Sequence, residues 1–174
     1  MAAIKAGLGS PESWEVGLVQ GKLALLAAVD DVVAKLRKAI DSLDMEWLSY
    51  ALEQARRLDM AHDSREEVRI VTEHARTTLV KLKECIRLLR EARGSSRIEQ
   101  LAGALTATDE VGYKAGLVDE VRARHEVFAA LLKEAGLTLQ VGTREDLKEL
   151  VSRCVAAGLE SPVIEEMGKR CDDP

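Results

Sequence analysis

Four short stretches of the chain share one order of residue types: a small residue, three residues that suit a helix, Gly or Asp, and then a larger apolar residue. They are AIKAGL (3–8), ARRLDM (55–60), TDEVGY (108–113) and CVAAGL (154–159). Glycine ends a helix readily in the left-handed conformation, and the apolar residue after it packs back on the last turn. The chain is therefore predicted to be a series of helices with defined ends.

These stops recur at a nearly constant distance along the chain. They fall at Gly7, Asp59, Gly112 and Gly158, which is a recurrence of about 50 residues and is typical of a helical-repeat array. The predicted repeat units are approximately 1–43, 44–95, 96–142 and 143–174, all within a single all-helical domain of residues 1–174.

Helix-start signals follow each stop and also lie midway between stops. The serines of Ser10-Pro11 and Ser161-Pro162 cap a helix whose first residue is proline. Capping boxes are predicted at Ser64–Glu67, Ser96–Glu99 and, in a variant form, Thr143–Asp146, and Asp44 caps a further helix. The predicted long helices span 11–42, 64–93 and 116–135, the short ones 45–58, 97–111 and 144–157, and a last helix spans 162–170.

Composition agrees with an all-α fold. Hydrophobic residues make up 47% of the chain but aromatic residues only 3%, and the three prolines lie near the ends, so strand formers and helix breakers are scarce. Apolar residues step by three and four, as they do in an amphipathic helix: Val68, Val71, Ala75, Leu79, Leu82, Ile86 and Leu89. The predicted fold is an array of antiparallel helical hairpins that alternates long and short helices, either solenoid-like or an irregular bundle.

The turn phrases AGLGSPE (6–12) and AGLESPV (157–163) carry a family resemblance. The chain resembles the degenerate helical-hairpin repeats of large protist cytoskeletal, motor and signalling proteins, in which similar turns recur. The resemblance implies a scaffold or interaction role and assigns no catalytic residues.

Charge and cysteine content exclude several classes of protein. The net charge of -5 lacks the basic excess of a nucleic-acid binder. No apolar run approaches the roughly 20 residues that span a bilayer, and the first residues lack an export or transit signal. Three widely spaced cysteines favour a reducing compartment, so we expect an intracellular protein, cytoplasmic or cytoskeletal, or organellar if a targeting segment was removed.

The residues that could carry chemistry have simpler structural explanations. Cys85 and Cys154 lie on apolar stripes and are predicted to be buried, whereas Cys171 is predicted to lie in a reactive tail. His62 stands with Asp59 and Asp63 in a turn that has too few converging ligands for a metal. We therefore expect no catalytic residues, no cofactor and no metal site, and no enzyme.

The segment 77–97 is the most distinctive local feature. It carries a basic face with Lys83, Arg87 and Arg90, followed by Arg93. Such a helix can be the target of an EF-hand protein of the calmodulin type, a membrane-surface helix or a contact for an acidic partner. The other interpretation is a core helix whose basic end complements the helix dipole.

The favoured function is a non-enzymatic interaction or structural subunit that docks into a larger assembly, with other protein subunits as partners. Trp14 and Trp47 are further candidate contacts, because tryptophan is enriched at interfaces as well as at packed helix ends. The short C-terminal helix is predicted to leave an uncapped apolar edge. Two rival functions stay open: a regulatory module that binds an EF-hand or acidic partner through 77–97, and an enzyme or cofactor-binding helical bundle in which buried carboxylates or histidines line a cavity. An accessory subunit of an organellar membrane complex is a further alternative, as a special case of the favoured function.

Overall fold

The structure, a computed structural model, describes residues 11–172 and, within them, the side chains of residues 15–171. This part of the chain is all-helical and contains no strand. Its elements are α1 (Pro11–Ser42), α2 (Met45–Arg57), a 3-10 turn (Met60–His62), α3 (Glu66–Arg93), α4 (Ile98–Val111), α5 (Gly116–Val141), α6 (Arg144–Ala157) and α7 (Pro162–Asp172). The predicted all-α class is confirmed.

Side-chain caps fix the starts of α2 and α6, as predicted. The Asp44 carboxylate accepts the Trp47 N–H at 2.9 Å. At α6 the Thr143 hydroxyl accepts the Asp146 N–H, and the Asp146 carboxylate accepts the Thr143 N–H at 2.8 Å. Hydrogen bonds from the Thr143 hydroxyl and backbone lower the pKa of Asp146. Each cap occupies backbone N–H groups that the helix itself leaves unpaired.

The predicted capping box at Ser96–Glu99 is wrong. The N-cap of α4 is Arg97, whose side chain makes no capping bond. The Arg97 N–H is bound instead by the buried Ser95 hydroxyl, at 3.0 Å. A serine hydroxyl that accepts the N–H two residues later forms a local turn. The hydroxyl in this turn is that of Ser95, whereas the predicted capping box required that of Ser96.

The start of α3 also differs from the prediction. The helix begins at Glu66 rather than at residue 64, and the Asp63 carboxylate accepts the Arg65 N–H at 2.8 Å. Hydrogen bonds from the Arg65 side chain and backbone lower the pKa of Asp63. The carboxylate therefore stays ionised and organises the turn that precedes the helix.

Left-handed residues end the helices where the sequence placed its stops. The φ angles are 51° at Asp59, 74° at Gly112 and 72° at Gly158. Leu159, the apolar residue after the last of these stops, is buried. Gly7 lies outside the described residues. One further left-handed residue, Leu43 with φ 51°, connects α1 to α2 without any glycine to signal it.

The long helix α5 runs past its predicted end at residue 135 to Val141. Gly136 and Leu137 resemble a stop, but Gly136 continues the helix. Tertiary contacts support the extra turns: Leu139 packs against the core, and the Arg170 guanidinium donates to the Leu139 carbonyl at 3.1 Å. The helix ends at Gly142 instead.

The chain divides into two compact units, residues 1–80 and residues 81–174. In the first unit α2 packs against the second half of α1. Ion pairs join α1 to the start of α3, between Arg65 and Asp30 at 2.6 Å and between Arg37 and Glu67. The buried apolar residues of this unit are Val29, Val32, Val33, Leu36, Ala39, Leu48, Ala51, Ala55, Met60, Val68 and Ala75.

In the second unit α5 is the central element and contacts α4, α6 and α7. Phe128 of α5 is fully buried, and the Arg124 guanidinium lies 5.1 Å above its ring. Arg124 also donates to the Arg93 carbonyl at 2.9 Å. The Glu160 N–H donates to the Ser96 carbonyl at 2.8 Å. Two interhelix turns of this unit are therefore joined by their backbones.

The left-handed stop generates a prediction with a matched control. Replacing Gly158→Ala places a side chain at φ 72° and should destabilise the protein by about 1–2 kcal/mol. Gly103 lies within α4, and an added Cβ there meets no atom within 4 Å. Gly103→Ala should therefore stabilise by about 0.5–1 kcal/mol. Urea unfolding of both variants measures the change in the free energy of unfolding, which should fall for Gly158→Ala and rise for Gly103→Ala. Equal effects would show that Gly158 does not act through its backbone.

Candidate interaction surfaces

The basic side chains of α3 lie on the surface, on the side opposite its packed face. Lys83, Arg87, Arg90 and Arg93 are exposed. The buried residues of the same stretch are Leu82, Cys85, Leu89 and Ala92. At about 100° per residue, the first three basic residues point away from this buried row. The predicted basic face is therefore present as a surface.

Ion pairs occupy part of this basic face. Arg87 contacts Glu84 at 2.6 Å and also pairs with Glu91. Hydrogen bonds with Glu84 and Glu91 raise the pKa of Arg87, and Arg87 lowers the pKa of Glu84. Arg93 pairs with Glu120 at 2.9 Å. Among the described residues, Lys83 and Arg90 make no ion pair, so they are the two cations of this face whose charge no carboxylate neutralises there.

The two tryptophans give little support to an aromatic contact site. Trp47 is half-buried in the first turn of α2, where its backbone N–H is held by Asp44. The side chain of Trp14 lies outside the described residues. Only the Trp47 ring is therefore placed, and it lies partly within the packing of the helix start.

All three cysteines are buried. The prediction holds for Cys85 and Cys154 but is wrong for Cys171, because α7 continues to Asp172 and packs that thiol inward. The Arg144 guanidinium donates to the Cys171 carbonyl at 2.8 Å, which fixes this end of α7. Burial raises the pKa of Cys154, so its thiol stays protonated and is a poor nucleophile.

The histidine turn lies at the surface of the protein, and a cleft lies between α4 and α5. His62 Nδ1 lies 2.8 Å from Asp59 Oδ1, and both side chains are exposed. Within residues 11–172 no three potential ligands come together around one point. A cleft of about 480 Å³ between α4 and α5 has a polar rim that includes Asp109 and Arg122, whose charged groups lie 3.7 Å apart.

The first half of α1 is the surface that the sequence interpretation missed. Every residue from 15 to 28 is exposed. Six large apolar side chains in this stretch have exposures between 45% and 59%. They are Val16, Leu18, Val19, Leu23, Leu25 and Leu26. The available signal was the composition of residues 16–29, where Gln20 and Lys22 are the only polar residues.

The predicted apolar edge at the C-terminal end is not where the structure exposes most apolar surface. Ile164, Met167 and Cys171 of α7 are buried against the second unit's core, because even a short helix covers its neighbours when its stripe faces them. The exposed apolar surface is concentrated instead in the first half of α1.

Comparison of the chain with family models, with curated proteins and with solved structures finds no match. The resemblance to protist helical repeats therefore stays a prediction from the turn motifs. The class established for this protein is the all-α fold of its described residues. None of the helices within residues 11–172 is both long enough and apolar enough to cross a membrane.

The burial of the thiols predicts their reactivity. In the native protein all three cysteines should react with Ellman's reagent at least about tenfold more slowly than in guanidinium, because the reagent attacks the exposed thiolate. Absorbance at the thionitrobenzoate band follows the reaction. If one thiol of the native protein reacted as fast as in guanidinium, and this fast reaction were absent in Cys171→Ser, Cys171 would be exposed and the structure of α7 would be contradicted.

Proposed function

We propose that this protein is a non-enzymatic interaction subunit, built from a repeated two-helix unit, that docks into a larger assembly through the exposed first half of α1. The observation that carries the proposal is the apolar surface of residues 15–28. Monomeric proteins rarely expose contiguous apolar patches of this kind unless the patch binds something.

Correspondence between α2 and α6 supports the repeated unit. Each helix begins at a side-chain cap, Asp44 in one case and Thr143 in the other. The buried residues then follow at the same spacing, Leu48, Ala51 and Ala55 in α2 and Leu147, Leu150 and Cys154 in α6. Each stretch closes on a left-handed residue, Asp59 or Gly158. The side-chain cap, the spacing of the buried residues and the left-handed end therefore recur together, as expected for copies of one unit.

The regulatory alternative, in which 77–97 binds an EF-hand protein, has less support. EF-hand sensors bind the apolar face of a target helix in their groove. In α3 that face is occupied by the core, because Leu82, Cys85 and Leu89 are buried. Such binding would require α3 to leave its packing first.

The docking role predicts the outcome of one paired experiment. The double variant Leu18→Gln/Leu25→Gln should lose at least about tenfold in affinity for the native partner, because burying each leucine is worth about 1.5–3 kcal/mol. Its thermal midpoint should stay near that of the wild type, because both side chains are exposed. Affinity purification from native cells identifies the partner, and calorimetry with that partner measures the loss.

The matched control is Lys83→Glu/Arg90→Glu, which reverses the two cations of α3 that have no ion-pair partner among the described residues and leaves Arg87 between Glu84 and Glu91. We expect this variant to retain the partner. If the α1 variant bound the partner with unchanged affinity, the proposed function would be contradicted. If only the charge variant lost affinity, the partner would bind the basic face instead.

A further inference from the structure

The cleft of about 480 Å³ lies beside the turn that joins α4 to α5, within the second unit. Sites for small molecules commonly enclose roughly 300–1,000 Å³, so this cleft has room for a small ligand. Along one wall, Ala115, Val118 and Arg122 recur at steps of three and four residues and so lie on one side of α5 and its N-cap. The end of α4 and residues 112–114 form the opposite wall.

The buried part of the cleft lining is mostly apolar and is held by the core. Val118 is buried, and Tyr113 packs against the hydrophobic core of the unit. The buried Thr108 uses its hydroxyl within the protein, where it donates to the Ala104 carbonyl at 2.8 Å. The Thr108 carbonyl accepts the Tyr113 N–H at 3.2 Å, which fixes the residue that carries the ring. A ligand in the cleft therefore meets a preformed apolar surface.

Both signs of charge stand at the rim of the cleft. The Arg122 guanidinium of α5 and the Asp109 carboxylate of α4 lie 3.7 Å apart and pair with each other. Lys114 and Asp119 are exposed and also line the cleft. Within residues 15–171 neither of these two side chains joins an ion pair. The rim thus presents one ammonium group and one carboxylate beside a pair whose charges offset each other.

The two signs define the chemistry of the ligand. A purely anionic ligand that Lys114 attracts is repelled by Asp119, and a purely cationic ligand meets the reverse. A zwitterion satisfies both groups. An α-amino acid carries its ammonium and its carboxylate on a single carbon, and the side chain on that carbon can contact Val118 and the Tyr113 ring.

We propose that the cleft between α4 and α5 binds a free α-amino acid with an apolar side chain. The carboxylate of the ligand accepts from the Lys114 ammonium, and its own ammonium donates to the Asp119 carboxylate, as in other charge-assisted pairs. The ligand side chain lies over Val118 and Tyr113. This site uses no residue of α1, so the protein carries it in addition to the surface proposed for docking.

NMR titration of the isotope-labelled full chain with L-leucine, L-methionine and L-phenylalanine tests the site. We expect at least one of these amino acids to bind with a Kd of about 1 mM or lower and to shift the amide signals of residues 108–122. Two results would overturn the proposal. One is no shift from any of the three at concentrations on the order of 10 mM, and the other is a set of shifts that lies elsewhere in the chain.

Blocked analogues of the amino acid that binds test its two charges separately. The N-acetyl derivative lacks the ammonium and the amide derivative lacks the carboxylate. Each should bind at least about tenfold more weakly than the free amino acid, because it loses a hydrogen bond between charged groups. If the N-acetyl amide, which has neither charge, bound as tightly as the free amino acid, recognition would be apolar alone and the proposal would be wrong.

Two variants assign the charges of the ligand to residues of the cleft. Asp119→Asn should weaken binding of the free amino acid at least about tenfold and leave binding of the N-acetyl derivative nearly unchanged. Lys114→Met should weaken binding of the free amino acid equally and leave binding of the amide derivative nearly unchanged. Such a pairing of variant with analogue isolates each contact, as in a double-mutant cycle.

Glu126→Gln and Lys133→Met are the matched controls, because both residues are exposed on α5 and neither lines the cleft. Both controls should bind the free amino acid as the wild type does. All four substituted side chains are exposed, so the thermal midpoints should stay near that of the wild type. Unchanged binding in Asp119→Asn and Lys114→Met, or an equal loss in the controls, would contradict the site.

Discussion

Packing of apolar stripes between neighbouring helices is the interaction on which this structure depends. Short helices are marginal in water by themselves, so their stability comes from the face that a neighbour covers. In the second unit α5 is covered by three helices and carries the fully buried Phe128. In the first unit α2 packs against the second half of α1, where the buried residues of that helix lie. One helix, α1, thus has both a supported and an unsupported half.

The left-handed residues make this packing possible. Asp59, Gly112 and Gly158 end their helices at defined points, and a helix that ends early enough can be followed by one that packs back against it. Where a cap and a stop enclose a stripe of the right length, as in α6 between Thr143 and Gly158, the stripe meets the core along its whole length.

Much of the fold follows from the sequence because caps and stops act within four or five residues. The bounds of α6 and the left-handed stops are examples. Tertiary contacts decide the rest. Gly136 stays helical because the helix around it packs against α7 and the core. Ahead of α4, the buried hydroxyl of Ser95 makes the turn that the sequence assigns to Ser96. The exposure of Leu18 and Leu25 is invisible to periodicity, because a stripe looks the same whether or not a neighbour covers it.

Hydrogen exchange along α1 tests the central claim most directly. The account predicts that, in the isolated protein, backbone amides in residues 15–28 exchange on the order of 100-fold faster than those in 29–42, because local opening is governed by the packing that each stretch has. Mass spectrometry of the corresponding peptides resolves the two halves. Uniform protection along the whole helix would show that the first half is already supported, and would contradict the account.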